Sequence, residues 1–234
     1  MANVELVRFP NAAALADAAA AQFVANVTVT SAPRTVALSG GRIAKDFFQA
    51  VTKLVKTQNA SLTHVHFFWA DERCVPPTDA ESNYRIAAEL LFQPLGLSQE
   101  NLHRIQGEDE PVRAAEQAAR ELQAFAATSV GGQPVLDLVL LGMGEEGHVA
   151  SLFPGESEAT MRSSEIYRAV TASKPPPRRL TLGYAALAAA REVWVLASGA
   201  GKEAALCESL SSAGQTPLAR VLRARGTARV FTEL

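Results

Sequence analysis

The stretch that most constrains the fold spans residues 135–155, with the sequence VLDLVLLGMGEEGHVASLFPG. It begins with a short apolar run, interrupted only by Asp137, and a run so rich in branched residues predicts a strand buried on both faces. Three closely spaced glycines follow, and their conformational freedom suits a sharp loop that a ligand can approach. His148 comes directly after the last of them, where an open α/β sheet places its ligand chemistry.

Short apolar segments alternate with helical patterns along the rest of the chain. We expect Asn11, Ser82 and Thr216 to cap helices, residues 174–179 to form a stiff proline-rich connector, and Thr181 to cap a helix that reaches residue 190. The alternation predicts a Rossmann-like α/β fold, a mostly parallel sheet flanked by helices on both faces, in one domain of 234 residues. The other predicted strands are residues 4–9, which form an edge, 35–38, 65–69, 102–105, 167–171, 193–197 and 228–231.

Composition and charge exclude several classes of function. The chain is 48% hydrophobic and 20% charged with a net charge of -2, so no global basic field favours nucleic acid or an anionic membrane. The alanine-rich residues 12–21 are too few and too interrupted to span a bilayer, and the N-terminus has no signal-peptide pattern. Cys74 and Cys207 lie far apart in the sequence, and we predict that both are reduced thiols. We expect a cytoplasmic protein, either a monomer or a small homo-oligomer.

Four predicted strands end in polar or glycine-rich loops: residues 39–42, 71–73, 142–148 and 198–202. In a parallel sheet all four carboxyl ends face one crevice. The loop Ser39-Gly40-Gly41-Arg42 precedes a predicted helix, so backbone N–H groups and the helix dipole favour an anion there, and Arg42 matches phosphate. The alternative is a plain tight turn with a solvated arginine. Lys202 either reaches the same anion or lies on the surface.

Charged side chains in two further segments suit the same crevice. Arg73 is expected to hold a phosphate or carboxylate and Asp71 to act as a base or an orienting group, unless the two form an ion pair that fixes the loop. Arg178 and Arg179 follow three prolines, and one of them is expected to face the crevice.

His148 is the candidate general base, because an imidazole titrates near neutral pH. Glu145 or Glu146 is placed to orient its ring. His64 and His66 alternate on a strand without a third ligand, so we predict no metal and no cofactor. The G-x-S-x-G elbow of serine hydrolases is absent, which favours an activated water as the nucleophile. These residues together predict an enzyme that acts on a small phosphorylated molecule.

At these motifs the sequence resembles the 6-phosphogluconolactonase family, within the larger group that includes glucosamine-6-phosphate deaminases. The resemblance implies hydrolysis of 6-phosphogluconolactone, a phosphorylated sugar lactone, to 6-phosphogluconate in the oxidative pentose phosphate pathway. It implies that His148 deprotonates water and that Ser39, Gly40, Gly41, Arg73, Arg179 and Lys202 hold the phosphate and the sugar. The matching blocks are residues 38–41, 71–76, 81–84, 141–155, 174–181 and 199–202.

Two departures from the family pattern fall inside the site. Arg42-Ile43-Ala44 stands where the family usually has Ser-Thr-Pro, and Arg42 is expected to compensate as a phosphate donor. Glu146 replaces the usual aspartate before Gly-His, which lengthens the carboxylate beside His148 by one methylene.

Two alternative functions stay open on the same fold. Aminosugar-phosphate deaminases or isomerases carry a tyrosine where this chain has Arg73 and a glutamate where it has Phe153, so a ring-opening carboxylate is missing here. A non-catalytic sugar-phosphate-binding domain would need the anion site without the base. The joint presence of His148, Asp71 and Arg73 favours hydrolysis over both.

Overall fold

A computed structural model describes residues 3–129, 131–225 and 227–234. Its strands are β1 (Asn3–Arg8), β2 (Arg34–Leu38), β3 (Val65–Trp69), β4 (Asp71–Arg73), β5 (Ala127–Thr128), β6 (Pro134–Val135), β7 (Leu138–Gly142), β8 (Tyr167–Thr171), β9 (Arg178–Leu182), β10 (Glu192–Ala197) and β11 (Thr227–Thr232). Its α-helices are α1 (Ala12–Thr28), α2 (Arg42–Gln58), α3 (Asn83–Ala87), α4 (Gln93–Leu95), α5 (Pro111–Phe125), α6 (Glu158–Met161), α7 (Tyr184–Ala189), α8 (Glu203–Leu210) and α9 (Pro217–Ala224).

Six parallel strands form the central sheet, in the order β1-β11-β10-β7-β2-β3. Strands β2, β7 and β10 are almost entirely buried, as their continuous apolar sequences predict. Asp137, which interrupts the apolar run before β7, accepts hydrogen bonds from the amide and the hydroxyl of Thr35 at 2.8 and 3.1 Å. The predicted mostly parallel sheet is confirmed, with β1 at its edge.

The strand order creates a switch point between β2 and β7. The chain leaves β2 toward β3 on one side, and it leaves β7 toward β10 on the other. Right-handed crossovers therefore place the helices that follow β2 and β7 on opposite faces of the sheet. In agreement, α1 packs on α2, and α9 packs on α7 and α8. The loops after β2 and β7 diverge at this point, which opens a crevice at the carboxyl ends of the strands.

Three helix caps form as the sequence predicts. Asn11 accepts the amide of Ala14 at 2.9 Å, and Ser82 accepts that of Arg85 at 3.2 Å. The hydroxyl of Thr216 accepts the amide of Ala219 at 3.0 Å.

A second, three-stranded antiparallel sheet has the order β4-β9-β8 and corrects two predictions. Residues 71–73 form strand β4 rather than a loop, and Thr181 lies within β9 instead of capping a helix, which begins at Tyr184. The register pairs Arg73 with Arg179. Strands β4 and β9 are short, carry charged residues and pair across about 110 positions of sequence, so no local alternation of apolar residues announces their pairing. The strand predicted at residues 167–171 is confirmed as β8, which pairs with β9.

The predicted strand at residues 102–105 was also wrong. Only Leu102 makes an isolated bridge, to Phe67. The segment is instead tied to β3 by the side chain of Asn101, which donates to the carbonyl of Val65 at 3.1 Å. Within the described residues, no helix is long and apolar enough to cross a membrane.

Candidate active site

A polar cleft of about 130 Å³ opens at the switch point, between the two sheets. It brings together side chains from the ends of β2, β7 and β10 and from both β4 and β9. Of the predicted site residues, Ser39, Gly40, Gly41, Arg42, Asp71, Arg73, His148, Arg179 and Lys202 all line it, together with Asn83, Ser198 and others. Glu146 does not line the cleft, and its carboxylate lies next to Nδ1 of His148. The cleft lies beside Arg179 and not beside the exposed Arg178.

The loop after β2 leads directly into the N-terminus of α2. Gly41 adopts φ 102°, a conformation that favours glycine, and it caps a helix of 17 residues. A Cβ on Gly40 would lie 1.8 Å from the Oδ1 atom of Asn83, so only glycine lets the two approach. The Ser39 hydroxyl is buried and has no hydrogen-bond partner within the described part of the chain. Backbone amides, a helix dipole and a free hydroxyl therefore converge on the cleft.

The loop after β7 holds the imidazole of His148. A Cβ on Gly144 would lie 1.9 Å from His148 Cε1, so the ring needs a glycine beneath it. The amide of Gly144 donates to the carbonyl of His148 at 2.9 Å, which closes the loop on itself. Lys202 donates from Nζ to the carbonyl of Met143 at 2.6 Å and so fixes the start of the same loop.

The environment of His148 favours its neutral form. Burial lowers the pKa of the imidazole below its ordinary value, although the carboxylates of Glu146 and Asp71 act in the opposite direction. Nδ1 lies 3.3 Å from Glu146 Oε2 without the alignment of a hydrogen bond. The ring also packs on Phe153, with 4.8 Å between the ring centroids. At neutral pH the side chain can therefore accept a proton.

Asp71 is buried and is held by two neighbours that the sequence did not single out. Ser151 donates from its hydroxyl to Asp71 Oδ2 at 2.7 Å, and Asn83 donates from Nδ2 to the carbonyl of Asp71 at 2.9 Å. The Oδ1 atom of Asn83 accepts no hydrogen bond from any described residue. Asn83 lines the cleft, and the only sequence signal for it is the E-S-N-Y block at residues 81–84.

The second carboxylate of the D-E-R motif has a structural place. Glu72 is buried and accepts the amides of Arg73, Asn83 and Tyr84, each at 2.8 Å. Burial raises its pKa to about 6, against the effect of these amides. Glu72 thus ties β4 to the start of α3 and fixes the orientation of Asn83.

Positive charge dominates the cleft, which is lined by Arg42, Arg73, Arg179 and Lys202. Burial lowers the pKa of Arg179, and repulsion from Arg73 lowers it further. Burial likewise lowers the pKa of Lys202, and repulsion from Arg42 adds to this effect. Among the described residues that line the cleft, Asp71 is the one carboxylate. An anion bound here would relieve this repulsion. The described residues contain no group of three or more His, Cys, Asp or Glu side chains that could hold a metal ion.

Comparison with known sequences gives matches over most of the chain. Residues 10–231 match the family described as glucosamine-6-phosphate isomerases/6-phosphogluconolactonase. A 6-phosphogluconolactonase of Streptomyces coelicolor is 34% identical over 228 residues, which cover 93% of this chain and 86% of that relative. One from Mycobacterium tuberculosis is 35% identical over 213 residues, covering 88% and 85%.

Solved structures show the same architecture. The crystal structure of a devB protein superposes with a TM-score of 0.89 at 32% identity, covering 98% of this chain and 96% of that one. A 6-phosphogluconolactonase from Trypanosoma brucei gives 0.82 at 27% identity, covering 99% and 96%. A monomeric glucosamine-6-phosphate deaminase gives 0.80 at 19% identity, covering 98% and 96%, and shares the fold.

Proposed function

The chain belongs to the glucosamine-6-phosphate isomerase/6-phosphogluconolactonase family, and from this premise we propose that it hydrolyses 6-phosphogluconolactone to 6-phosphogluconate. The observation that carries the proposal is one cleft that holds the largely buried His148, whose pKa is lowered by burial, together with four cationic side chains. A phosphorylated lactone needs these two things, a base that activates water and a site for its dianion.

The phosphate binds among the cations at the mouth of α2. Arg42 and Lys202 flank the loop of Ser39 to Gly41, and their proximity is reflected in the lowered pKa of Lys202, to which Arg42 contributes after burial. Backbone amides at the start of α2 donate to the same group. Arg73 and Arg179, which pair across β4 and β9, neutralise the remaining charge and hold the sugar.

His148 acts as the general base. Glu146 lies on the Nδ1 side of the ring, so Nε2 takes a proton from water as that water attacks the lactone carbonyl carbon. The attack forms a C–O bond and a tetrahedral oxyanion, which the nearby cations stabilise. When the carbonyl reforms, the bond from carbon to the ring oxygen breaks, and the imidazolium returns its proton to that leaving oxygen. Asp71, fixed by Ser151 and Asn83, stabilises the transient imidazolium.

A lactone is an activated ester, so positioning and a base supply most of what its hydrolysis requires. A side-chain base contributes on the order of 10²–10⁴-fold. This route to hydrolysis uses side chains and backbone amides of the chain, together with water.

Deamination of an aminosugar phosphate remains the alternative because the matched family includes it. Ring opening calls for a carboxylate next to the histidine, and here the ring of Phe153 packs against His148 at that point. An apolar ring cannot transfer a proton, so hydrolysis is favoured.

The two free cysteines, Cys74 and Cys207, fit the expected cytoplasmic enzyme, acting in one domain as a monomer or a small homo-oligomer.

A coupled assay tests the function directly. Glucose-6-phosphate dehydrogenase generates the lactone, and phosphogluconate dehydrogenase reports 6-phosphogluconate. We expect the protein to accelerate hydrolysis well above the spontaneous rate. Ammonia release from glucosamine 6-phosphate with no lactone turnover would replace the proposal by the deaminase. Binding of 6-phosphogluconate without either activity would indicate the non-catalytic domain.

A further inference from the structure

The proline-rich connector predicted at residues 174–179 ends at residue 177, because β9 begins at Arg178, and it contacts both Glu146 and the buried Arg179. At its start, Lys174 donates from Nζ to Glu146 Oε2 at 3.2 Å. The same carboxylate oxygen lies 3.3 Å from His148 Nδ1. A single oxygen atom thus lies between the ammonium of Lys174 and the imidazole of the base.

The connector is anchored by a buried guanidinium. Arg179 donates from Nε to the carbonyl of Pro176 at 3.1 Å, and its Nη2 lies 3.4 Å from the carbonyl of Lys174. Arg179 is 6% exposed and stacks over the ring of Phe153, 5.6 Å from the centroid. Phe153 in turn packs on His148. Lys174 is therefore held in a fixed position relative to the base, whereas its own side chain is half exposed.

Glu146 needs an external partner to stay where it is. One third of its side chain is exposed, and its contact with His148 lacks the alignment of a hydrogen bond. A glutamate has more rotatable bonds than an aspartate, so it loses more side-chain entropy when it is fixed. An exposed ion pair contributes little to the stability of a fold, so the effect of Lys174 would appear in the position of the carboxylate and not in overall stability.

We propose that Lys174 is a positioning residue for the His148 base: it holds Glu146 Oε2 against His148 Nδ1 and thereby adapts the site to the longer carboxylate. This role rests on the proposed function of the cleft. It explains how a glutamate can serve beside the base, since the connector supplies the constraint that its extra methylene removes.

The charges around His148 give the proposal a distinctive signature. The carboxylates of Glu146 and Asp71 raise the pKa of His148, and the ammonium of Lys174 lowers it. If Lys174 only contributed charge, its removal would raise the pKa of His148. If Lys174 positions Glu146, its removal also releases the nearer carboxylate, and the pKa falls.

The test compares Lys174→Met and Lys174→Arg with the wild type and with Lys53→Met, an exposed lysine on α2. We expect Lys174→Met to lower kcat about tenfold, with KM changed less than about twofold, because the base is misoriented while the phosphate site is intact. NMR titration of His148 should show a lower midpoint. Lys174→Arg should restore both quantities, and Lys53→Met should match the wild type.

A double variant separates positioning from other effects. In a Glu146→Ala background, Lys174→Met should cause no further loss of kcat, since there is no carboxylate left to hold. Unchanged kcat in Lys174→Met, an additive loss in the double variant, or a His148 midpoint that rises would each overturn the proposal. Wild-type protein that fails to turn over the lactone would overturn the proposed function instead, and the His148 titration would still decide the role of Lys174.

Discussion

The two sheets of this protein differ in whether they bury charged side chains. In the parallel sheet, the central strand β7 buries Leu138, Val139 and Leu140, and its neighbours are equally apolar. In the antiparallel sheet, β4 and β9 bury the charged Asp71, Glu72 and Arg179 in addition to two leucines. Apolar burial stabilises a fold directly, whereas buried charges cost free energy unless they are paired or hydrogen bonded. The comparison indicates that the first sheet supplies stability and the second supplies part of the site, with His148 on a loop between them.

The largest expected effect is a loss of turnover on substitution of His148. His148→Asn should lower kcat by about 10²–10⁴-fold because asparagine cannot accept the proton of the attacking water. The coupled assay measures kcat, and calorimetric titration should show that 6-phosphogluconate still binds. His64→Asn, at the amino-terminal side of β3, is the control and should leave turnover unchanged. Normal turnover in His148→Asn would remove His148 from the mechanism.

A substitution in the parallel sheet should lower the free energy of unfolding and leave substrate binding nearly unchanged. Leu138→Ala deletes a side chain that is fully buried in β7, and such deletions cost about 2–5 kcal/mol. Denaturant unfolding should report this loss, while KM at low temperature stays near the wild-type value. Val112→Ala, on the exposed face of α5, should change the free energy of unfolding by less than about 0.5 kcal/mol. A large rise in KM for Leu138→Ala would contradict the assignment of stability to the parallel sheet and of substrate binding to the antiparallel sheet.

Arg73→Ala tests the antiparallel sheet. Its guanidinium donates from Nη1 to the carbonyl of Glu81, and its Nε is buried without a partner in the described residues. Loss of a charge-assisted hydrogen bond to the substrate, worth about 1.5–3 kcal/mol, should raise KM by roughly 10- to 100-fold with a smaller change in kcat. Arg113→Ala, an exposed arginine of α5, is the matched control. A loss of stability with normal KM would return Arg73 to a purely structural role.

Ser151→Ala is the smallest and most local change. It removes the hydroxyl that donates to the buried Asp71 carboxylate, which should cost about 1–3 kcal/mol of unfolding free energy. The exposed Ser212→Ala should cost almost nothing. If both variants unfold alike, Asp71 does not depend on Ser151, and the buried polar network is weaker than its geometry indicates.

The sequence predicts the parallel sheet well because its strands carry their own signal. Val65 to Trp69 and the run before Gly142 are short, mostly apolar segments, so each strand is visible locally. The site residues at their ends follow from the rule that such ends share one crevice.

The pairing of β4 with β9 was missed because it is not local, whereas β8 was predicted at its observed bounds. Asp71 and Thr181 lie opposite each other, yet 110 positions of sequence separate them and both are polar. For the same reason Ser151 and Asn83 gave no signal as partners of Asp71. Their hydrogen bonds depend on the register of two distant strands, which no periodicity within either segment encodes.

The state of His148 at neutral pH is the central claim of this account, and NMR titration of the free protein tests it most directly. The imidazole signal is assigned by its absence in His148→Asn. Burial outweighs the carboxylates of Glu146 and Asp71, so the predicted midpoint lies below the ordinary value of about 6.5, and the ring is neutral at pH 7. A midpoint above 6.5 would contradict the account, because it would show that the two carboxylates dominate and that the candidate base begins the reaction partly protonated.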